Sequence, residues 1–207
     1  VNVDYIYDEP TPGTDTEPRD IIISNNYFRE CGNYNSVPAI NATMSPVRII
    51  CGDGIVVTGN IIDRYGHPDA QRAIHIDDGF TNHGLVVTNN SIRGDWNIGI
   101  YAKEVNDSVF SHNVGQDTDV ITQFLYLENV GDSVIEGNVC KSGTYVLYAV
   151  NIDTNIITNN IGAGMYFNAR NANRISQNIP ETVNWTTSVA STPSYVGEIA
   201  LTGGNFY

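Results

Sequence analysis

Basic residues are scarce: Lys and Arg together number 10 in 207 residues, against 23 Asp and Glu, for a net charge of -13. Phosphate binding needs a basic face, so nucleic acid is not an expected partner. The same scarcity argues against docking on an anionic membrane surface. No apolar run reaches the length of a membrane span, and no charged-then-apolar segment opens the chain in the manner of a signal peptide. Cysteine is limited to Cys31, Cys51 and Cys140. Their number is odd and their spacing suits no metal, so free thiols are the default reading and a Cys31–Cys51 disulfide the alternative. His67, His75, His83 and His112 form no ligand pattern, and Asp77-Asp78-Gly79 is too short to specify calcium. Neither a metal nor a cofactor is expected. Helical periodicity is missing too, which leaves strands and turns. Asn-x-Ser/Thr triplets such as Asn41-Ala42-Thr43 and Asn184-Trp185-Thr186 arise by chance in an Asn-rich chain and carry no weight.

Hydrophobic residues make up 41% and charged residues 16%, so the acidity is not that of a disordered tail. The length suits one domain with a continuous core. Within it one unit recurs, each copy closing on an asparagine. The copies are Ile21-Ile22-Ile23-Ser24-Asn25-Asn26, Ile55-Val56-Val57-Thr58-Gly59-Asn60, Leu85-Val86-Val87-Thr88-Asn89-Asn90 and Ser108-Val109-Phe110-Ser111-His112-Asn113. Ser133-Val134-Ile135-Glu136-Gly137-Asn138, Asn155-Ile156-Ile157-Thr158-Asn159-Asn160 and a degenerate copy ending at Asn178 follow. The closing residues lie 34, 30, 23, 25, 22 and 18 positions apart, the spacing of a repeat architecture.

A second strand keeps a fixed offset. Ile100-Tyr101-Ala102, Leu125-Tyr126-Leu127, Leu147-Tyr148-Ala149 and Met165-Tyr166-Phe167 each place Tyr 12 residues before the closing Asn. Ile74-His75-Ile76 fills the same slot, with three extra residues before Asn90. A period of two points the flanking apolar residues one way and the Tyr or His the other. Strands this short, separated by Asn/Gly turns, leave no room for crossover helices, so successive units must coil and pair in parallel. Rungs ~4.8 Å apart let a side-chain amide at one corner bond its neighbours above and below. The expected ladder is Asn26, Asn60, Asn90, Asn113, Asn138 and Asn160. Asn also tolerates the left-handed backbone of a tight turn.

Gly99-Ile100-Tyr101-Ala102 through Val109-Phe110-Ser111-His112-Asn113-Val114 resembles the repeat of right-handed parallel β-helices of the pectate-lyase-like superfamily, over about residues 21 to 179. The resemblance implies an all-β fold, a right-handed single-stranded parallel β-helix (a solenoid) of about seven rungs. It is specific for fold and poor for function, because that superfamily hosts lyases, hydrolases, epimerases and viral adhesins. Residues 1–20 read as a partial rung and an acidic, proline-containing loop, 21–180 as the β-helix, and 181–207 as a linker or the start of a further module. No amphipathic cap precedes Val1, and the expectation is therefore a fragment or missing earlier rungs. The stretch Thr192 to Tyr207, with Gly197-Glu198-Ile199-Ala200 and Gly203-Gly204-Asn205-Phe206-Tyr207, resembles a segment near the C-termini of bacteriophage tail fibres and tailspikes. That resemblance implies a homotrimer in a virion tail, with a bacterial surface polysaccharide as partner.

Chemistry is expected on the outward column. Its polar members cluster as His75 and Asp77, Tyr101 and Lys103, Tyr126 and Glu128. In register, Asp77 and Glu128 lie two rungs apart, about 10 Å between backbones. That is near the upper end of the ~6.5–9.5 Å carboxyl separation of inverting glycosidases. Asp77 and Glu128 are thus the candidate catalytic carboxylates, with Lys103 between them to orient one or stabilise charge. His75, Tyr101 and Tyr126 are candidate sugar contacts, since aromatic rings stack on the C–H faces of sugars. Asp78 is an alternative acid in the adjacent loop. A lyase would instead use Lys103 with Tyr101 or His75 as base near a uronate carboxylate. The plain structural alternative is that stacked tyrosines and an Asp–Lys–Glu ladder only support the sheet, and it is the reading taken for Tyr148 and Tyr166, whose neighbours are Val150 and Asn168. Three functions stay open: a phage polysaccharide-binding and depolymerising protein, a secreted bacterial polysaccharide lyase, hydrolase or epimerase, and a non-catalytic structural or adhesive β-helix. Residues 29–46, 63–72 and Asp78 to Gly84 are insertions, either of the kind that wall a groove or simply tolerated at the surface.

Overall fold

The computed structural model describes residues 2–3, 18–29, 31, 45–64, 72–76, 82–116, 121–140, 142–168 and 173–185. Among them every regular element is a strand and every strand pairing is parallel. Two sheets result. Seven three-residue strands form one: Ile22–Ser24, Val56–Thr58, Val86–Thr88, Val109–Ser111, Val134–Glu136, Ile156–Thr158 and Arg174–Ser176. Consecutive strands of this sheet are consecutive copies of the sequence unit, paired in the register Ile22–Val56–Val86–Val109–Val134–Ile156–Arg174.

The second sheet has fourteen strands and curls, because one strand serves two columns. Ile161–Asn168 pairs through Ile161 and Gly162 with Val139–Cys140, and through Met165 to Asn168 with the Tyr145–Val150 strand. One column thus runs from Tyr27–Arg29 through Ile61–Arg64, Ser91–Gly94, Val114–Gln116 and Val139–Cys140. The other carries the tyrosines: Val47–Ile49, Arg72–Ile76, Ile98–Asn106, Gln123–Gly131, Tyr145–Val150 and the second half of Ile161–Asn168. Along the chain a copy visits the seven-stranded sheet, turns at its asparagine, and then passes through both columns. This order is consistent with a parallel β-helix or solenoid-like fold. Pairing continues past Pro180, since Ile179–Trp185 runs alongside Ile161 to Phe167.

The core follows from the two-residue period. The central residues of six of the seven short strands, Ile23, Val57, Val87, Phe110, Ile135 and Ile157, face inward and are buried, and Ile175 of the seventh is partly buried against them. Residues flanking each tyrosine do the same: Ile100 and Ala102, Leu125 and Leu127, Leu147 and Ala149, Met165 and Phe167. Cys51 and Cys140 are buried, and no disulfide joins Cys31 to Cys51.

The closing asparagines bond one another in an unbroken chain. Asn26, Asn60, Asn90, Asn113 and Asn138 each donate from Nδ2 to Oδ1 of the next, and Asn160 donates to Asn178, all at 2.9–3.1 Å. The same oxygens accept the backbone N–H of the preceding rung's asparagine. Most rungs add a bond from Nδ2 to a carbonyl below, such as Asn113 to Val87. The left-handed residue is the one before the ladder: Asn25, Gly59, Asn89, His112, Gly137, Asn159 and Gln177 all have φ between 53° and 66°. The asparagine is therefore required for its amide and its predecessor for the turn. A second ladder closes the other end of the same sheet. Ser108 and Ser133 accept from the backbone N–H of Leu85 and Ser108, and Asn155 and Asn173 continue the series.

Candidate functional site

The tyrosine column brings together six rungs in strict register: Arg48, His75, Tyr101, Tyr126, Tyr148 and Tyr166. Rungs separated by one strand spacing place rings within contact, and the rings respond by stacking. Tyr101 and Tyr126 lie 5.2 Å apart between centroids, Tyr126 and Tyr148 5.1 Å, and Tyr148 and Tyr166 4.2 Å with their planes 8° apart. Tyr145 adds an edge contact to both Tyr148 and Tyr166. The result is a continuous aromatic strip along the outside of the curled sheet, mounted on a rigid inward-facing core.

The strip is not equally open along its length. His75 and Tyr101 are only 2% and 9% exposed, whereas Tyr126, Tyr148 and Tyr166 are half-buried. Arg72 accounts for part of the covering: its guanidinium sits 3.8 Å from the Tyr101 ring centre, and Nη1 lies 2.6 Å from Nε2 of His75. Arginine has donors only, so Nε2 of His75 accepts in this contact. His75 also meets Tyr101 edge-on at 5.2 Å. The rings a ligand meets first are therefore Tyr126, Tyr148 and Tyr166.

Two residues further along the same strands stand Lys103 and Glu128, paired in register. Lys103 Nζ is 3.2 Å from Glu128 Oε1, and both side chains are about a quarter exposed, at 23% and 24%. The Tyr126 hydroxyl reaches toward Glu128 Oε2 at 3.5 Å. Burial and the neighbouring Glu128 carboxylate push the Tyr126 phenol above its ordinary value. Burial raises Tyr148 too, with the hydrogen bond to Tyr166 second. Immediately beyond, Glu104 and Asn129 both adopt φ near +54°, and Asn129 Nδ2 donates to Glu104 Oε1 at 2.6 Å. The long strands thus turn a corner right after the ion pair, which fixes where Lys103 and Glu128 can reach.

Of the residues picked out from sequence, His75, Tyr101, Lys103, Tyr126 and Glu128 share this face. Asp77 and Asp78 lie outside the described residues, so the carboxyl separation of the proposed Asp77–Glu128 pair has no measured value. The C-terminal stretch Thr192 to Tyr207, the acidic loop up to residue 17 and most of the three insertions lie outside them too. Arg72 was missed by sequence reasoning. Its signal was its place in the strand Arg72–Ile76, three residues before His75. Compared with protein-family models, with curated proteins and with solved structures, the chain matches none.

Proposed function

We propose that the tyrosine face binds a bacterial surface polysaccharide, and that the chain is a phage tailspike-type protein built as a right-handed, single-stranded parallel β-helix of about seven rungs. The observation that carries this reading is the strip of stacked rings ending at the Lys103–Glu128 ion pair. The rings stack on one another, so the strip offers their edges and hydroxyls, and a row of phenol groups repeating every ~4.8 Å suits an extended ligand with regularly spaced hydroxyls. The charged pair at one end supplies a hydrogen-bond acceptor and a cation for sugar hydroxyls or a uronate carboxylate. Such a strip binds along its length rather than in a pocket, as a polymer requires.

The same face supports cleavage. Glu128 is held by Lys103 and is the one proposed catalytic carboxylate within the described residues; Asp77, two residues after His75 in the sequence, is its proposed partner. Hydrolysis would use the two carboxylates as acid and base on either side of the glycosidic bond. A secreted polysaccharide lyase, hydrolase or epimerase would share the face, and cleavage products separate the chemistries. New reducing ends without ultraviolet absorbance indicate hydrolysis, and absorbing unsaturated uronates indicate elimination. Incubation with capsular and O-antigen polysaccharides should give one or the other, and Glu128→Gln should lower the rate at least a hundredfold. A polysaccharide retained but never shortened leaves binding alone, and turnover unchanged in Glu128→Gln removes Glu128 from catalysis.

Assembly as a homotrimer in a virion tail belongs to the same proposal. The outer side of the seven-stranded sheet supports it. Its outward positions are mostly Ile, Val, Ser and Thr, with Glu136 and Arg174 the charged exceptions. In a chain carrying -13, a face whose two charges are of opposite sign adds little repulsion toward a second copy.

A further inference from the structure

A second polar cluster lies away from the tyrosine strip, on the column that begins with Tyr27–Arg29. Asp63 stands in register with Arg29 on one side and Arg93 on the other. It is 8% exposed, an unusual burial for a carboxylate outside a closed ion pair. Oδ2 accepts a hydrogen bond from the Tyr27 hydroxyl at 2.9 Å, while Oδ1 is buried with no hydrogen-bond partner. Both neighbouring arginines are long enough to neutralise it, yet among the described residues neither forms an ion pair with it. Arg93 turns its Nε to Ser91 Oγ at 3.2 Å instead, and Arg29 is exposed. Tyr27 is 57% exposed, a large open ring tied by its hydroxyl to the carboxylate. The hydrogen bond to Asp63 raises the Tyr27 phenol from its ordinary value.

A buried carboxylate oxygen without a donor costs free energy until something donates to it. Two guanidinium groups close by and not committed to that carboxylate are suited to an outside anion, because arginine binds planar anions bidentately. An exposed aromatic ring next to both supplies a platform for an apolar face. We propose that Tyr27, Arg29, Asp63 and Arg93 form a second ligand site, one that takes an anionic sugar unit. Its acidic group is held by Arg29 and Arg93, a ring hydroxyl donates to Asp63 Oδ1, and its C–H face lies on Tyr27. The site is independent of the tyrosine strip and stands whether or not that strip binds polysaccharide.

Isothermal titration with three oligosaccharide probes tests this: an oligogalacturonate, a sulfated dextran oligomer and neutral dextran. The first two tell whether a carboxylate or a sulfate is the preferred anion. Binding of at least one anionic probe and not of neutral dextran is expected. Arg29→Gln with Arg93→Gln should weaken that binding at least tenfold, as should Tyr27→Ala. Asp63→Ala discriminates further. It removes every side-chain acceptor, so the affinity falls if Asp63 accepts a sugar hydroxyl, whereas tighter binding would show a carboxylate that only repels the ligand and would overturn its place in the site. The double variant Lys103→Met, Tyr126→Ala disables the other face and should keep this binding in full. Absence of binding by either anionic probe overturns the assignment. Equal affinity in the arginine variants, or loss of binding in the Lys103, Tyr126 variant, overturns it equally. Unchanged circular dichroism confirms in each case that the variant is folded.

Discussion

Asn113 shows what a single residue contributes to this molecule. It is fully buried, it donates to Val87 O and Asn138 Oδ1, and its own oxygen accepts from the backbone and side chain of Asn90. Asn113→Ala would strand a buried carbonyl and leave the amide of Asn90 without its acceptor. Each buried group left unsatisfied costs ~1–3 kcal/mol. Urea unfolding should therefore show a loss on the order of 3 kcal/mol. Asn26, at the exposed end of the ladder, should lose far less, and equal losses at the two positions would deny the ladder its cooperative role. The turn residue beside the ladder makes a separate prediction. Gly137 has φ +64°, and a Cβ there would stand 3.0 Å from the His112 ring. Gly137→Ala should cost about 1 kcal/mol or more, from left-handed strain and the contact together. That the asparagine matters was legible from its spacing. Which of the two turn residues is left-handed was not, because Asn25-Asn26, Asn89-Asn90 and Asn159-Asn160 repeat the same residue type and hide the division of labour.

At the scale of the strand, the stacked tyrosines make a pH prediction. Tyr126 and Tyr148 have phenol pKa values raised in the folded chain, chiefly by burial. In the unfolded chain they ionise near their ordinary value of about 10. The neutral form is thus favoured by folding, and the stability it brings is present below that value. It is lost as pH rises toward the folded values, because the unfolded state then holds fewer protons. Absorbance at 295 nm should show a late-titrating group of tyrosines, and urea midpoints should fall above pH 10. Tyr126→Phe combined with Tyr148→Phe should reduce that fall, the remainder belonging to Tyr27. Persistence of the full fall would place its source elsewhere. The column itself was readable from the 12-residue offset, since a period of two leaves each Tyr one direction to point. Its uneven exposure was not readable: Arg72 covers Tyr101 through a contact set by strand pairing rather than by chain proximity. The Asp63 cluster escaped for the same reason. Tyr27 and Asp63 are 36 residues apart, and nothing in either segment announces the other.

For the whole molecule, the repeat spacing made parallel stacking legible, because units of about 25 residues without helices have few other ways to bury their apolar positions. Handedness and oligomeric state carry no comparable pattern, since both depend on how whole faces meet. The proposed trimer contact lies on the charge-poor outer side of the seven-stranded sheet. Ile156 is 42% exposed on that side, and Val134 occupies the equivalent position one rung away. Light scattering should give a mass three times that of one chain. Val134→Glu with Ile156→Glu should shift it to one chain while the circular dichroism is retained. A trimer unaffected by the two charges would place the contact on another face.

The central claim concerns the aromatic strip, and polysaccharide retention tests it most directly. Wild-type chain and Tyr126→Ala are passed over a panel of immobilised bacterial capsular and O-antigen polysaccharides, and affinities are measured on any that bind. The account predicts retention on at least one polysaccharide, with affinity at least tenfold weaker in Tyr126→Ala. Failure of the whole panel to bind, or equal affinity in the two proteins, would contradict it.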